Sequence, residues 1–345
     1  MASENRIGLS LWWGFRELFR IYVSPLAHAL EGSEGWLFLD NDTNHSVEQF
    51  RGHRLLENEQ LAQWEGYLKE LDKLPQTTKI RQVKFLPTPS KEDIYPQFHP
   101  HAAGKVRPLL QLRSIGTRYK SYLDPYAFLK ACPERVFRKT DTHWNPLGAR
   151  LASFEISKAM GVECDHSVFA QDQYQENPEI GDLGVRSFPP RMAIEKRLQN
   201  FSYAKALLFD NRIQNFGRIL ITRWEKAVTE HSLLIFGGSS SYFLLDYLSR
   251  IFQRVYLVHS AGNIDLALLD LFAPDFLLSQ TTGRFILRVP SLHFCFGEVL
   301  REKWQNTSSP VKSEAEFHAS CLLPRGVDGI VVQKVIRYHA QWLGF

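Results

Sequence analysis

Residues 140–146 read Thr-Asp-Thr-His-Trp-Asn-Pro, which sets an acid and a base two positions apart. In an extended segment that spacing puts Asp141 and His143 on the same side of the chain. An Asp beside a His fixes the ring's tautomer and stabilises the imidazolium as a proton arrives. Asn145 suits a helix N-cap and Pro146 the first helical turn, so the loop has a defined end that positions His143. A metal reading needs a third ligand, and none stands nearby in the sequence, so no metal is expected. The plainer alternative is that both side chains only satisfy main-chain groups ahead of a helix.

A second chemical element is Gly237-Gly238-Ser239-Ser240-Ser241. It follows the apolar run 233–236 and precedes a helical pattern, so it falls where a strand hands over to a helix. Ligands of open α/β sheets gather at that edge. Small residues allow a sharp turn and close approach of the backbone to a substrate. The free N–H groups of a first helical turn can hold an oxyanion. The same residues also suit a phosphate cradle or a plain capping turn. Ser241 stands where a G-x-S-x-G elbow would have its last glycine, so this is not that motif. Taken together, the two elements supply a complete Ser–His–Asp set, in the chain order Asp, His, Ser. Ser239 is the expected nucleophile, with Ser240 and Ser241 as alternatives in register. Gly238 and Ser240 are the expected oxyanion donors through their N–H groups.

These residues need a frame. The apolar runs 233–236, 255–258 and 276–278 alternate with helical stretches at 242–252 and 264–272. That pattern predicts βαβ units and a parallel sheet with helices on both faces. Upstream, 36–39 and 83–86 read as short strands. Residues 55–73 read as an amphipathic helix ending before Pro75, and 103–130 as helix, turn and helix. Segment 165–230 is weakly patterned and rich in proline, and it is expected to be an irregular insertion. The chain thus divides into an N-terminal amphipathic helix (within 1–30, at 8–23), an α/β domain (31–310) and a C-terminal helical extension (311–345, with a helix at 331–343).

Composition narrows the function. Hydrophobic residues make up 44% and charged residues 23% of the 345, which is globular and excludes a disordered chain. Lys and Arg number 41 against 37 Asp and Glu, a net charge of +4 with no like-charge block, so nucleic acid is not an expected partner. The four cysteines show no zinc or disulfide spacing and read as reduced thiols. With no signal peptide or membrane span in the pattern, the expected location is cytoplasmic, with peripheral membrane contact through residues 8–23 as the alternative. No phosphate loop or nucleotide motif is present and no bound cofactor is expected.

Residues 140–150 (TDTHWNPLGAR) resemble the Asp-x-His-Trp motif of the SGNH-hydrolase-like proteins of the alginate O-acetyltransferase AlgJ/AlgX type. There too the Asp–His pair precedes the serine. Residues 32–39 (GSEGWLFL), 83–96 (VKFLPTPSKEDIYP) and 274–285 (PDFLLSQTTGRF) resemble further strands of that family. Gly238 and Ser240 depart from the residues usual around its serine, and Gly283 stands where the family often has Glu. The resemblance implies an SGNH-like (flavodoxin-like) α/β fold and an O-acetyltransferase acting on a glycan, polysaccharide or glycoconjugate. Contact with a biosynthetic complex is also implied; the acetyl donor is open, and acetyl-CoA is suggested only by the expected cytoplasmic location. Ser239 would carry the acetyl group, His143 move the proton and Asp141 support His143. Lys91, Tyr95, Trp144, Tyr242 and Arg284 are candidates for contacting donor or acceptor. An acetyl esterase using the same triad is one alternative. A non-catalytic glycan-binding or assembly protein is the other.

Overall fold

The computed structural model describes residues 28–41, 44–305 and 329–344. The expected helix at 8–23 lies outside these residues. The strands are β1 (Ala29–Glu31), β2 (Leu37–Leu39), β3 (Gln82–Thr88), β4 (Tyr174–Glu179), β5 (Ala193–Leu198), β6 (Leu207–Asp210), β7 (Ile219–Arg223), β8 (Thr229–Gly237), β9 (Phe252–His259) and β10 (Phe276–Thr282). The α-helices are α1 (Ser46–Arg51), α2 (Asn58–Thr77), α3 (Lys91–Ile94), α4 (Pro108–Gly116), α5 (Pro125–Ala131), α6 (Pro146–Ala159), α7 (Ser240–Ile251), α8 (Leu266–Phe272), α9 (Phe296–Gln305) and α10 (Gly329–Leu343).

Six strands form the central sheet in the order β3-β10-β8-β9-β7-β6. The first four are parallel, while β7 runs antiparallel to β9 and β6 antiparallel to β7. Strand side chains alternate between faces, and both faces here are covered. Leu234, Phe236, Tyr256, Val258 and Leu277 point into one core with α2, α4, α8, α9 and α10. Leu233, Ile235, Val255, Leu257 and Leu278 point into the other, with α5, α6 and α7. This two-sided burial is why β8, β9 and β10 read as unbroken apolar runs.

The connection from β8 through α7 covers one face, and that from β9 through α8 covers the other. The carboxyl ends of β8 and β9 therefore flank a crevice, the position where α/β sheets bind ligands. Ser239 sits directly after β8.

Two expectations on the frame are corrected. Segment 165–230 is not an irregular insertion. It holds the β4–β5 hairpin and then β6 and β7, which extend the central sheet with an antiparallel edge. The β4–β5 hairpin is polar, and β6 and β7 are short, with apolar runs of only three residues (207–209 and 219–221) set among charges. Helix α2 also continues through Pro75 to Thr77. Pro75 falls in the last turn, where the missing N–H costs a single hydrogen bond, and Leu71 and Leu74 just ahead of it are buried.

Candidate active site

The nucleophile turn is built by a close approach. A Cβ on Gly237 would lie 2.1 Å from Ser241 Oγ, so only glycine lets α7 start directly on β8. Ser239 is the N-cap of α7, yet its hydroxyl makes no capping hydrogen bond. It donates instead to His143 Nε2 over 2.8 Å. His143 Nδ1 donates to Asp141 Oδ1 over 2.6 Å, and the His143 main-chain N–H reaches the same oxygen at 2.9 Å. With the Nδ1 proton committed to Asp141, Nε2 is left as the acceptor facing the serine. Burial alone would push the Asp141 carboxyl up, but the hydrogen bonds and charge of His143, with Arg138, hold it well below the usual carboxylate range. Asp141 therefore stays an anion beneath the ring.

The loop that carries this pair is fixed on three sides. Asn145 caps α6 by accepting from the Gly148 N–H at 3.0 Å. Trp144 is fully buried and donates its indole N–H to the Ser240 carbonyl at 3.1 Å. Asp182, from the loop before β5, accepts from the Thr142 N–H at 2.7 Å and hydroxyl at 2.6 Å, and its own N–H reaches Asp141 Oδ2 at 3.2 Å. Asp141, His143 and Asp182 thus have ligand-capable atoms within 4.8 Å of one another. The group absent from the sequence neighbourhood arrives from 40 residues away. Because both Asp182 oxygens are engaged with Thr142, its role here is to clamp the loop.

Several expected site residues serve other ends. Gly238 is not an oxyanion donor, because its N–H is taken by Gln280 Oε1 at 2.7 Å. The Ser240 N–H, in the first turn of α7, has no main-chain partner among the described residues. Lys91 does not face a substrate. It is 2% exposed, and its ammonium donates to the carbonyls of Arg138, Lys139 and Asp141 at 3.3, 2.8 and 2.9 Å. It lies over the rings of Trp36 and Phe38, and burial pulls its pKa down to about 8.

Tyr95 is likewise structural: its hydroxyl accepts from the Val136 N–H at 2.8 Å and its ring packs on Trp36. Trp144 is interior, not a sugar platform. Tyr242 shares a 2.9 Å hydrogen bond with His259 Nδ1, and Arg218 lies over its ring. Arg284 borders a separate small cavity with Gln49, Glu92, Asp93 and Arg107, which none of the three triad residues lines.

Sequence reading missed Gln280 and Asp182. Gln280 is fully buried in β10 among the likewise buried polar residues Ser279, Thr281 and Thr282, so its residue type alone did not single it out. A cleft of about 420 Å³ is lined by Arg138, Arg197, Gln199, Phe201, Phe243 and Tyr247 among others, and it borders His143 through Phe243, since none of Ser239, His143 and Asp141 lines it. Phe243 packs 5.0 Å from the His143 ring, and the Arg138 guanidinium lies 5.2 Å over Phe243. The described cysteines, Cys132, Cys164 and Cys295, are free thiols. No helix among the described residues is long and apolar enough to cross a membrane.

An α/β sheet with helices on both sides and a serine at its switch point, hydrogen-bonded to a His–Asp pair, defines an SGNH-hydrolase-like domain. Residues 29–189 match the family model described as SGNH hydrolase-like domain, acetyltransferase AlgX, and the chain resembles the AlgJ/AlgX type. Among curated proteins it is 22% identical over 227 residues to the probable alginate O-acetylase AlgJ of Pseudomonas fluorescens, covering 58% of this chain and 53% of that one. It is 24% identical over 195 residues to the AlgJ protein of Pseudomonas putida, covering 52% of this chain and 46% of that one. The chain thus spans about half the length of the curated relatives it matches. Among solved structures, PatB1 of Bacillus cereus superposes with a TM-score of 0.56 at 12% identity, covering 78% of this chain and 100% of that one. A DHHW family protein from Eubacterium siraeum gives a TM-score of 0.50 at 14% identity over 76% of this chain and 96% of that one. At these identities the two structures speak for the fold.

Proposed function

We propose that this protein is a polysaccharide O-acetyltransferase that works through an acetyl ester on Ser239. The observation that carries the reading is the unbroken hydrogen-bond chain from Ser239 Oγ through His143 to Asp141. His143 takes the serine proton as Oγ attacks the acetyl carbonyl, and returns it to the departing group of the donor. Asp141 supports the imidazolium that forms. A sugar hydroxyl, deprotonated by the same histidine, then attacks the acetyl-serine and leaves with the acetyl group. The Ser239 and Ser240 N–H groups are the oxyanion donors this turn still offers. Removing such a donor costs on the order of 10²–10³ in rate.

The acceptor is assigned to the cleft that borders His143 through Phe243, whose volume suits a small oligosaccharide and whose lining mixes aromatic and hydrogen-bonding groups. Acetyl-CoA is the first donor to try, beside an activated acetyl ester. The test is to supply a chromogenic acetyl ester with and without an oligosaccharide mixture and to follow both chromophore release and acetylated sugar. Acetylated sugar that depends on Ser239 and His143 supports the reading. Acetate as the only product, whatever acceptor is offered, makes the protein an esterase. No release at all leaves a binding protein.

A further inference from the structure

Gln280 lies at the centre of β10, with no exposed surface. Its amide joins the ends of three neighbouring parallel strands. Oε1 accepts from the Gly238 N–H at 2.7 Å and from the Ser241 hydroxyl at 2.8 Å. Nε2 donates to Thr88 Oγ1, at the end of β3, over 3.0 Å. Gly238 and Ser241 bracket Ser239 and Ser240 on the nucleophile turn. A buried amide that satisfies three partners at once has one orientation, and the turn it holds has one as well. The groups touching it are all neutral.

From this geometry we propose that Gln280 is the positioning residue of the nucleophile turn. By taking the Gly238 N–H it also decides which main-chain donors face the reacting carbonyl oxygen. The inference rests on the acyl-serine reading above. The donors left at the turn are the N–H groups of Ser239 and Ser240, for which no partner is found among the described residues. Gln280 touches no substrate. It acts through Gly238 and Ser241, so its loss should slow acylation and leave acceptor binding alone.

A neutral glutamic acid at this position reproduces the amide: its carbonyl accepts from Gly238 and Ser241, and its O–H donates to Thr88. Its carboxylate does not, because the donor toward Thr88 is gone and a negative charge stands behind the turn that must hold an oxyanion. Gln280→Glu and Gln280→Met are therefore read together, as the rate of Ser239 acetylation by a chromogenic acetyl ester, relative to wild type, across pH. Thermal unfolding of each variant checks the fold.

The expected result is that Gln280→Glu approaches wild type at acidic pH and falls away on the order of 10- to 100-fold as pH rises. Gln280→Met should be slow at every pH, with kcat reduced and KM for the ester little changed. A structural role alone would lower the unfolding temperature without a pH-dependent rate ratio. Gln280→Glu following wild type across the whole range, or Gln280→Met acylating at the wild-type rate, overturns the proposal. A wild type that never acylates Ser239 overturns the underlying reading and this proposal with it. A wild type that acylates normally isolates the Gln280 question.

Discussion

Trp144 donates its indole N–H to the carbonyl of Ser240 over 3.1 Å, joining the residue after the base to the residue after the nucleophile. The bond is buried and crosses from the loop before α6 to the first turn of α7. It fixes the separation of two groups that must meet at 2.8 Å. Trp144→Phe keeps most of the ring's packing and deletes the donor. The expected outcome is a fall in kcat on the order of ten-fold with KM little altered, since small displacements of reacting groups are costly. Unchanged kcat with chromogenic ester would show that the serine and histidine are held by other contacts.

The two glycines of the turn should differ sharply. An alanine at Gly237 would place Cβ 2.1 Å from Ser241 Oγ, so the start of α7 must shift. At Gly238 the nearest atom is Gln280 Oε1 at 3.6 Å, an ordinary contact. Gly237→Ala is expected to lose more than about ten-fold in acylation rate. Gly238→Ala is expected to stay within about three-fold, under about 1 kcal/mol of barrier. Pre-steady-state acylation of both variants gives the comparison, and equal losses would contradict it.

Lys91 is a buried ammonium that holds three carbonyls of the loop bearing Asp141. Lys91→Met fills similar space and leaves those carbonyls without their donor. We expect a loss of about 3 kcal/mol or more in stability, together with reduced ester turnover. Denaturant unfolding measures the first. A loss under about 1 kcal/mol would mean that water or another donor replaces the ammonium.

Asp141 gives a pH signature in stability. Its folded carboxyl titrates below the unfolded value of about 3.9. Between those two values the unfolded chain binds more protons. The Asp141 contribution is therefore fully present above the unfolded value and is lost as pH falls through the folded one. The stability gap between wild type and Asp141→Asn should be constant near neutrality and narrow below about pH 4. Unfolding curves over that range check it, and a gap independent of pH would contradict the pairing.

The central βαβ units were legible because β8, β9 and β10 are buried on both faces, and each carries an apolar run of three or four residues (233–236, 255–258 and 276–278) that suits that environment. The hydrogen-bonded set of Asp141, His143 and Ser239 was legible for a local reason: Asp141 and His143 are two residues apart, and Ser239 follows a glycine pair at a strand's end. The edge strand β6 and its neighbour β7 were hidden because they are short, four and five residues, and no helix alternates with them. Three of the five substrate-contact candidates are engaged elsewhere for a common reason. Lys91, Tyr95 and Trp144 carry chemical groups that suit a ligand equally well, and their actual partners are main-chain atoms of distant residues that no spacing reveals. Gln280 and Asp182 were invisible for the same cause, since Gln280 meets Gly238 across 42 positions and Asp182 meets Thr142 across 40.

The central claim is that Ser239 carries an acetyl group between donor and acceptor. Rapid acid quench of the protein with a chromogenic acetyl ester, followed by intact-mass and peptide mass spectrometry, reads this directly. The account predicts one acetyl increment located on Ser239, absent from Ser239→Ala, slow to appear in His143→Ala, and discharged faster when oligosaccharide is added. Steady ester turnover with no adduct at any quench time, or an adduct on a residue other than Ser239, would contradict it.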